Sequence, residues 1–179
     1  MKINVSWFAA LTLMGLIGGC SQEPAAQTAA EQTGTAISSI DGSKFLLTAE
    51  PEAAKDVIQV RLDANDGDEV VIVGRIGGSV NPWIEGRAAF SIVDESLKAC
   101  SDIPGDHCAQ PWDYCCETSK LPDGTALIKV VDEDGKLVKA DSQGLLNVKE
   151  LSTVIVKGKA QRDDAGNLTV LASGVFVKN

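Results

Sequence analysis

The sequence has few of the side chains on which several common functions depend. Aromatic residues make up 4% of the chain, and there is one histidine. The 16 Lys and Arg residues are outnumbered by 25 Asp and Glu residues, giving a formal net charge of −9. Because nucleic-acid binding depends on clustered basic residues, this balance disfavours a nucleic-acid partner. His107 would have to serve any Ser/His/Asp or Cys/His mechanism, and no nucleophile elbow accompanies it, so we expect no catalytic residues and no enzymatic activity.

The chain also lacks an apolar run long enough to span a membrane, which takes about 20 residues. The run from Val5 to Ile17 follows Lys2 and precedes small residues, a pattern that predicts a secretory signal peptide over residues 1–19. Its end, Leu-Ile-Gly-Gly-Cys at 16–20, resembles the bacterial lipoprotein signal. That resemblance implies cleavage before Cys20 and acylation of this residue, as in palmitate-bearing lipoproteins.

The residue after the lipidation site indicates the membrane to which the lipoprotein is sorted. Ser21, rather than Asp, resembles the lipoprotein class sorted to the outer membrane, here facing the periplasm. The membrane would then be a partner through the N-terminal lipid. The alternative is a secreted protein in which Cys20 is incidental.

The mature chain divides into a tether and one domain. Residues 20–43 are rich in Ala, Gln, Thr and Ser and show no helix or strand period, which predicts a lipidated flexible tether. Residues 44–179 have the length and apolar content for one core. The apolar residues of segment 51–63 are spaced in a way that fits a helix or a strand. Pro51, at the position of a first helical turn, favours a helix over 51–63.

Five later segments have the alternation of half-buried strands. They are 69–76, 87–93, 125–131, 153–161 and 168–177, with room for a short helix near 142–149. The inward positions are Val70, Ile72, Gly74, Ile76, Ala88, Phe90, Ile92, Ala126, Ile128, Val130, Val154, Val156, Gly158 and Ala160.

Two of these strands each carry a glycine at the same position of a common pattern. Val70-x-Ile72-x-Gly74 and Val154-x-Val156-x-Gly158 place one glycine mid-strand, which suggests the tight bends of a small closed barrel. With Ala89–Asp94 and Leu168–Ala172, these segments resemble an OB-fold of the anticodon-binding-like kind. The resemblance implies a mainly β, five-stranded OB-like barrel with one or two short helices. It also implies a ligand face on the second and third predicted strands, which makes an oligonucleotide or polysaccharide binder one alternative.

The long loop between the second and third predicted strands, about 95–124, holds the most reactive side chains. It contains Cys100, His107, Cys108, Cys115 and Cys116. An even number of cysteines in an exported protein suggests two disulfides, for which three pairings exist, and adjacent cysteines rarely pair with each other. A zinc or copper site using these thiols and the imidazole is the second interpretation. A redox-active pair is the third, although no C-x-x-C motif supports it.

Aromatic and basic side chains flank the same loop. Trp112 and Tyr114 could contact a ligand, or could pack over the cysteines as a small local core. If the loops meet at one barrel end, a binding patch would be formed by Trp83, Arg75, Arg87, Trp112 and Tyr114. We therefore expect a lipid-anchored envelope module that needs no cofactor and binds an unknown protein or small molecule through this end. Zinc or copper binding is the alternative.

Overall fold

A computed structural model describes residues 40–178. The predicted signal peptide, the lipidation site Cys20 and most of the predicted tether lie outside the described residues. Among the residues that are described, no helix is long and apolar enough to cross a membrane. The strands and helices, in chain order, are β1 (Lys55–Asp56), α1 (Val57–Asp63), β2 (Glu69–Ile76), β3 (Ala89–Val93), α2 (Leu121–Gly124), β4 (Thr125–Val130), α3 (Ser142–Leu146), β5 (Thr153–Arg162) and β6 (Leu168–Val177).

Five strands close into a barrel. The order in the sheet is β1-β2-β3-β4-β6-β5, and an antiparallel pairing between β2 and β5 closes it. The β4–β6 pair is parallel, and the other pairs of the barrel are antiparallel. The short strand β1 is an addition that pairs in parallel with β2. This is an OB-like topology, so the predicted fold class is confirmed, including a short helix, α3, between β4 and β5.

The barrel interior is filled by the apolar residues that alternate along the predicted strands. Phe90, Ile92 and Ile128 are fully buried, and Val154 and Val156 face the same core. Alternate side chains of a strand point to opposite faces, so the apolar set of each strand lies inside. The inward faces predicted from sequence are confirmed on all of these strands, although β3 begins at Ala89 rather than at residue 87.

Glycine permits the sharpest bend of the barrel. The register between β5 and β6 shifts at Lys157 and Gly158, and Ser173 is the extra residue of the bulge. A Cβ at position 158 would overlap the backbone of Leu171 and lie 2.9 Å from Ala172 Cα. The two backbones therefore approach more closely here than any side chain would allow, as small barrels require at their corners.

The helix predicted over 51–63 is shorter than expected. It begins at Val57, because Ala53 has a positive φ of 59° and Lys55–Asp56 pair with β2 instead. Val57 and Val60 form its buried face, whereas Leu62 is 76% exposed. Pro51 lies before the helix and does not start it.

Asp94, at the end of β3, links this helix to the barrel. Its carboxylate is 2% exposed and accepts a hydrogen bond of 2.8 Å from the Ile58 backbone N–H in the first turn of α1. It also accepts bonds from the backbone and hydroxyl of Ser96. A buried carboxylate is stable only with such donors, and here they fix both the helix and the start of the cysteine-rich loop.

Candidate functional site

The cysteine loop (residues 95–124) leaves and re-enters the barrel at adjacent points. Val93 of β3 pairs with Thr125 of β4, and the Asp94 N–H donates to the Gly124 carbonyl oxygen at 2.9 Å. The loop contains 3₁₀ turns at Cys100–Asp102 and Cys115–Glu117. Both turns carry cysteines, so the local backbone, as well as the sequence spacing, determines where the thiols lie.

A small core holds the loop against the barrel. Tyr114 is fully buried with Val93, Leu97 and Ala99. Its ring packs so closely on the backbone of Gly77 that a Cβ there would lie 2.9 Å from Cε2. Burial raises the pKa of the Tyr114 hydroxyl, which keeps it protonated. Tyr114 therefore positions the loop from inside and offers no surface to a ligand.

Three cysteines of the loop converge on one point. The Sγ atoms of Cys100, Cys108 and Cys115 all lie within 4.8 Å of one another, and we call these residues the three-cysteine cluster. Cys115 Sγ is 3.2 Å from Cys100 Sγ and 3.9 Å from Cys108 Sγ. Cys100 is buried, Cys108 half-buried and Cys115 exposed, so the cluster opens to solvent on one side. No disulfide is formed among the cysteines that the structure describes.

Burial controls the ionisation of the innermost thiol. Desolvation and a hydrogen bond to Cys115 raise the pKa of Cys100 to about 12, with further contributions from Cys108 and Asp106. A thiol with so high a pKa is a poor nucleophile at neutral pH. The Cys100 thiol is therefore protonated at neutral pH, and a cation bound at the cluster would displace that proton.

Asp106 lies beside the cluster and was not singled out from the sequence. Its Oδ1 accepts a hydrogen bond of 3.2 Å from the backbone N–H of Cys108. Its Oδ2 is shielded from solvent and has no hydrogen-bond partner among residues 40–178. A buried carboxylate oxygen without a donor is costly, so this position favours a cation.

Arg75 braces the loop from the barrel. Its guanidinium forms an ion pair with Asp102, in which the two side chains are 21% and 35% exposed. The Asp102 carboxylate also accepts from the Ala99 backbone N–H at 3.2 Å, next to Cys100. The hydrogen bond from Arg75 holds the pKa of Asp102 below its usual range. Arg75, a residue of the predicted binding patch, thus has a structural partner in the cysteine loop.

We expect Asp102→Asn to destabilise the protein by about 1 kcal/mol near neutral pH, since the ion pair is partly exposed. Because the folded-state pKa is lowered, the stabilisation is complete above the unfolded pKa of about 3.9 and is lost as the pH falls through the folded value. Thermal unfolding measured across this range should show the wild type and the variant converging in acid. Asp164→Asn, at an exposed site, is the matched control; a difference that persists below the folded pKa would contradict the assignment.

The other predicted site residues lie outside the three-cysteine cluster. His107 and Cys116 are exposed and outside the three-cysteine cluster, although Cys116 Sγ is 4.0 Å from Cys115 Sγ. Arg87 is exposed beside α3, where its carbonyl accepts from the Ser142 hydroxyl at 3.4 Å.

The two tryptophans are held by hydrogen bonds within the protein. Trp83 Nε1 donates to Glu150 at 2.6 Å, and its ring lies 5.9 Å from that of Phe90. Trp112 Nε1 donates to the Val80 carbonyl oxygen at 3.1 Å. The bond from Trp112 joins the cysteine loop to the loop between β2 and β3. Trp112 and Glu150 line one open cleft of about 700 Å³.

Sequence reasoning missed the acidic residues of this region. Asp102, Asp106 and Glu150 are of a residue type that is common on protein surfaces. The available signal was the position of Asp102 and Asp106 between Cys100 and Cys108. Their partners lie elsewhere in the chain, so their roles depend on the tertiary structure. Comparison with protein-family models and with curated proteins finds no match to the chain. The functional assignment therefore depends on the chemistry of the site.

Proposed function

We propose that the chain is a lipid-anchored envelope module, without enzymatic activity, whose OB-like barrel presents a binding site for a soft metal ion. The observation that supports this most directly is the convergence of Cys100, Cys108 and Cys115 within 4.8 Å. Thiolates are the preferred ligands of zinc and cuprous copper. The cluster is open on the Cys115 side, so an ion can enter without unfolding the loop.

The arrangement of sulfurs favours a metal over two disulfides. Two disulfides need two separate pairs, whereas here Cys115 is near the three other cysteines of the loop, at 3.2, 3.9 and 4.0 Å. A common centre is the geometry in which several thiolates share one cation. Zinc–sulfur bonds of about 2.3 Å place tetrahedral ligand sulfurs a little under 4 Å apart, which is close to the 3.9 Å between Cys108 and Cys115.

The proposed location depends on the N-terminal segment. Leu16–Cys20 resembles a bacterial lipoprotein signal, and Ser21 suggests sorting to the outer membrane, facing the periplasm. We propose the relationship to anticodon-binding-like OB domains at the level of barrel topology and glycine-bent strands.

Nucleic acid remains a disfavoured ligand, because arginines near the usual OB face are already occupied. Arg162 donates to the carbonyl oxygens of Val60, Arg61 and Ala64, and Arg61 donates to that of Thr125.

A second candidate is a module that binds a partner through a disulfide-stapled loop. The 3.2 Å separation of Cys100 and Cys115 favours it, since a small movement would allow an S–S bond. The oxidising periplasm would promote that bond. Cys108 and Cys116 would then form the other pair, and the metal site would not exist.

One experiment separates the two candidates. The full chain, purified with and without reductant, should contain about one equivalent of zinc or copper, and its loop thiols should react with an alkylating agent once a chelator removes the ion. Cys115→Ser should lower the metal affinity by more than about 100-fold, because even outer-shell partners contribute 10–100-fold. Cys116→Ser is the matched control and should retain the ion. Thiols that become reactive only after reduction, with no bound metal, would establish the stapled loop instead.

A further inference from the structure

The three-cysteine cluster alone leaves a tetrahedral ion one ligand short. Structural zinc sites bind four protein ligands, whereas the mutual convergence found in the described residues includes three thiols. Water or a neighbouring side chain must complete the coordination. Side chains near the cluster in sequence that could supply this ligand are Asp106, His107 and Cys116, since Asp102 is already paired with Arg75.

Asp106 is the one of these three that the fold holds inward. The Cys108 N–H fixes Oδ1 at 3.2 Å, which also ties the carboxylate to a cluster residue. Oδ2 is shielded from water and has no donor. By contrast, His107 and Cys116 are exposed and can satisfy their polar atoms with water.

Asp106 also interacts with the cluster itself. Its carboxylate is bonded to the backbone of Cys108, and so lies beside a cluster residue. Asp106 is outside the mutual 4.8 Å convergence of the three sulfurs, so ligation requires a side-chain rotation that brings Oδ2 to the shared ion. The orphaned oxygen and the three sulfurs together describe an S₃O ligand set.

We infer that Asp106 is the fourth ligand of a zinc ion bound by Cys100, Cys108 and Cys115. This inference rests on the proposed function and names its metal. Binding is a ligand substitution in which Zn²⁺ replaces the three thiol protons, and the carboxylate adds without releasing one. The product carries a charge of −2 and three protons pass to solvent, so no oxidant or reductant is needed.

A carboxylate ligand selects zinc over cuprous copper. Zinc accepts sulfur and carboxylate oxygen in one tetrahedral site, whereas cuprous copper prefers soft ligands only. Zinc also has no redox chemistry of its own, so the ion does not itself react in an oxidising compartment. Coordinated thiolates are in addition withheld from disulfide exchange.

The full chain loaded with zinc provides the test. X-ray absorption should show a shell of three sulfurs and one oxygen, and Co²⁺ substitution should give the intense visible bands of a tetrahedral site. Asp106→Asn should weaken zinc binding by about 10–100-fold, measured by competition with a chromophoric chelator. Asn retains an oxygen that can accept the Cys108 N–H, so the turn is preserved. Asp123→Asn, exposed in the same loop, is the matched control and should not change the affinity.

Several results would overturn this inference, and they differ in what they leave standing. A shell of four sulfurs, or a nitrogen from His107, would replace Asp106 but keep the proposed metal-binding function. An unchanged affinity in a folded Asp106→Asn variant would do the same. Stoichiometric copper with no zinc uptake would keep a metal site of a different kind. Absence of any bound metal would overturn both this inference and the proposed function.

Discussion

Replacing Gly158 with alanine should prevent the barrel from closing normally. The new Cβ would meet the Leu171 carbonyl group and the Cα of Ala172, which are backbone atoms that cannot turn aside as a side chain could. Because the clash is with backbone at the β5–β6 bulge, we expect a loss of at least about 3 kcal/mol, at the upper end for overpacked cores. For a domain of this size the unfolding midpoint should fall by roughly 10 °C or more, measured by circular dichroism.

Gly144→Ala is the control for this prediction. Gly144 lies in α3, and nothing is found within 4 Å of a Cβ built there. Alanine is the better helix former, so this substitution should be neutral or stabilising by up to about 1 kcal/mol. If the Gly158→Ala variant proved as stable as the Gly144→Ala variant, the backbones of β5 and β6 could not approach as closely as described.

Cys20→Ala should abolish membrane attachment completely. In the proposed lipoprotein, acyl chains on Cys20 supply the anchoring energy, at about 0.8 kcal/mol per buried CH₂ group. The variant should therefore lose a metabolic palmitate label and leave the membrane fraction.

The matched control for the anchor is Cys116→Ala, which removes a cysteine of the barrel domain and should leave both label and fractionation unchanged. A labelled, membrane-bound Cys20→Ala chain would refute the lipoprotein assignment. A wild-type chain that is secreted without label would support the alternative in which Cys20 is incidental.

The strands were predictable because their pattern is local. Phe90 and Ile92 alternate with polar or smaller residues, and burial of one face fixes that register. Gly158 could be identified as a bend, since glycine mid-strand is costly without a structural need. The beginning of α1 could not be predicted. The pairing of Lys55–Asp56 with β2, 17 residues away in the registered pair Lys55↔Ile72, overrides the helix-start signal of Pro51.

The candidate site was predictable in its composition and not in its geometry. The four loop cysteines marked the segment, but spacing alone could not show that Cys115 lies near all the others. Tyr114 was predicted either to contact a ligand or to pack in a small local core, because an aromatic in a loop can face either way. Its burial follows from a contact with Gly77, far away in sequence. Asp106 depends on the folded loop in the same way.

The hydrogen bond from the Asp94 N–H to the Gly124 carbonyl oxygen closes the base of the cysteine loop. The loop starts and ends where β3 and β4 are already neighbours, so a short turn could join them and leave the barrel's strand order intact. An insertion of this kind can exchange its exposed side chains without altering the strand order, provided that Tyr114 and Asp102 keep their contacts with Gly77 and Arg75.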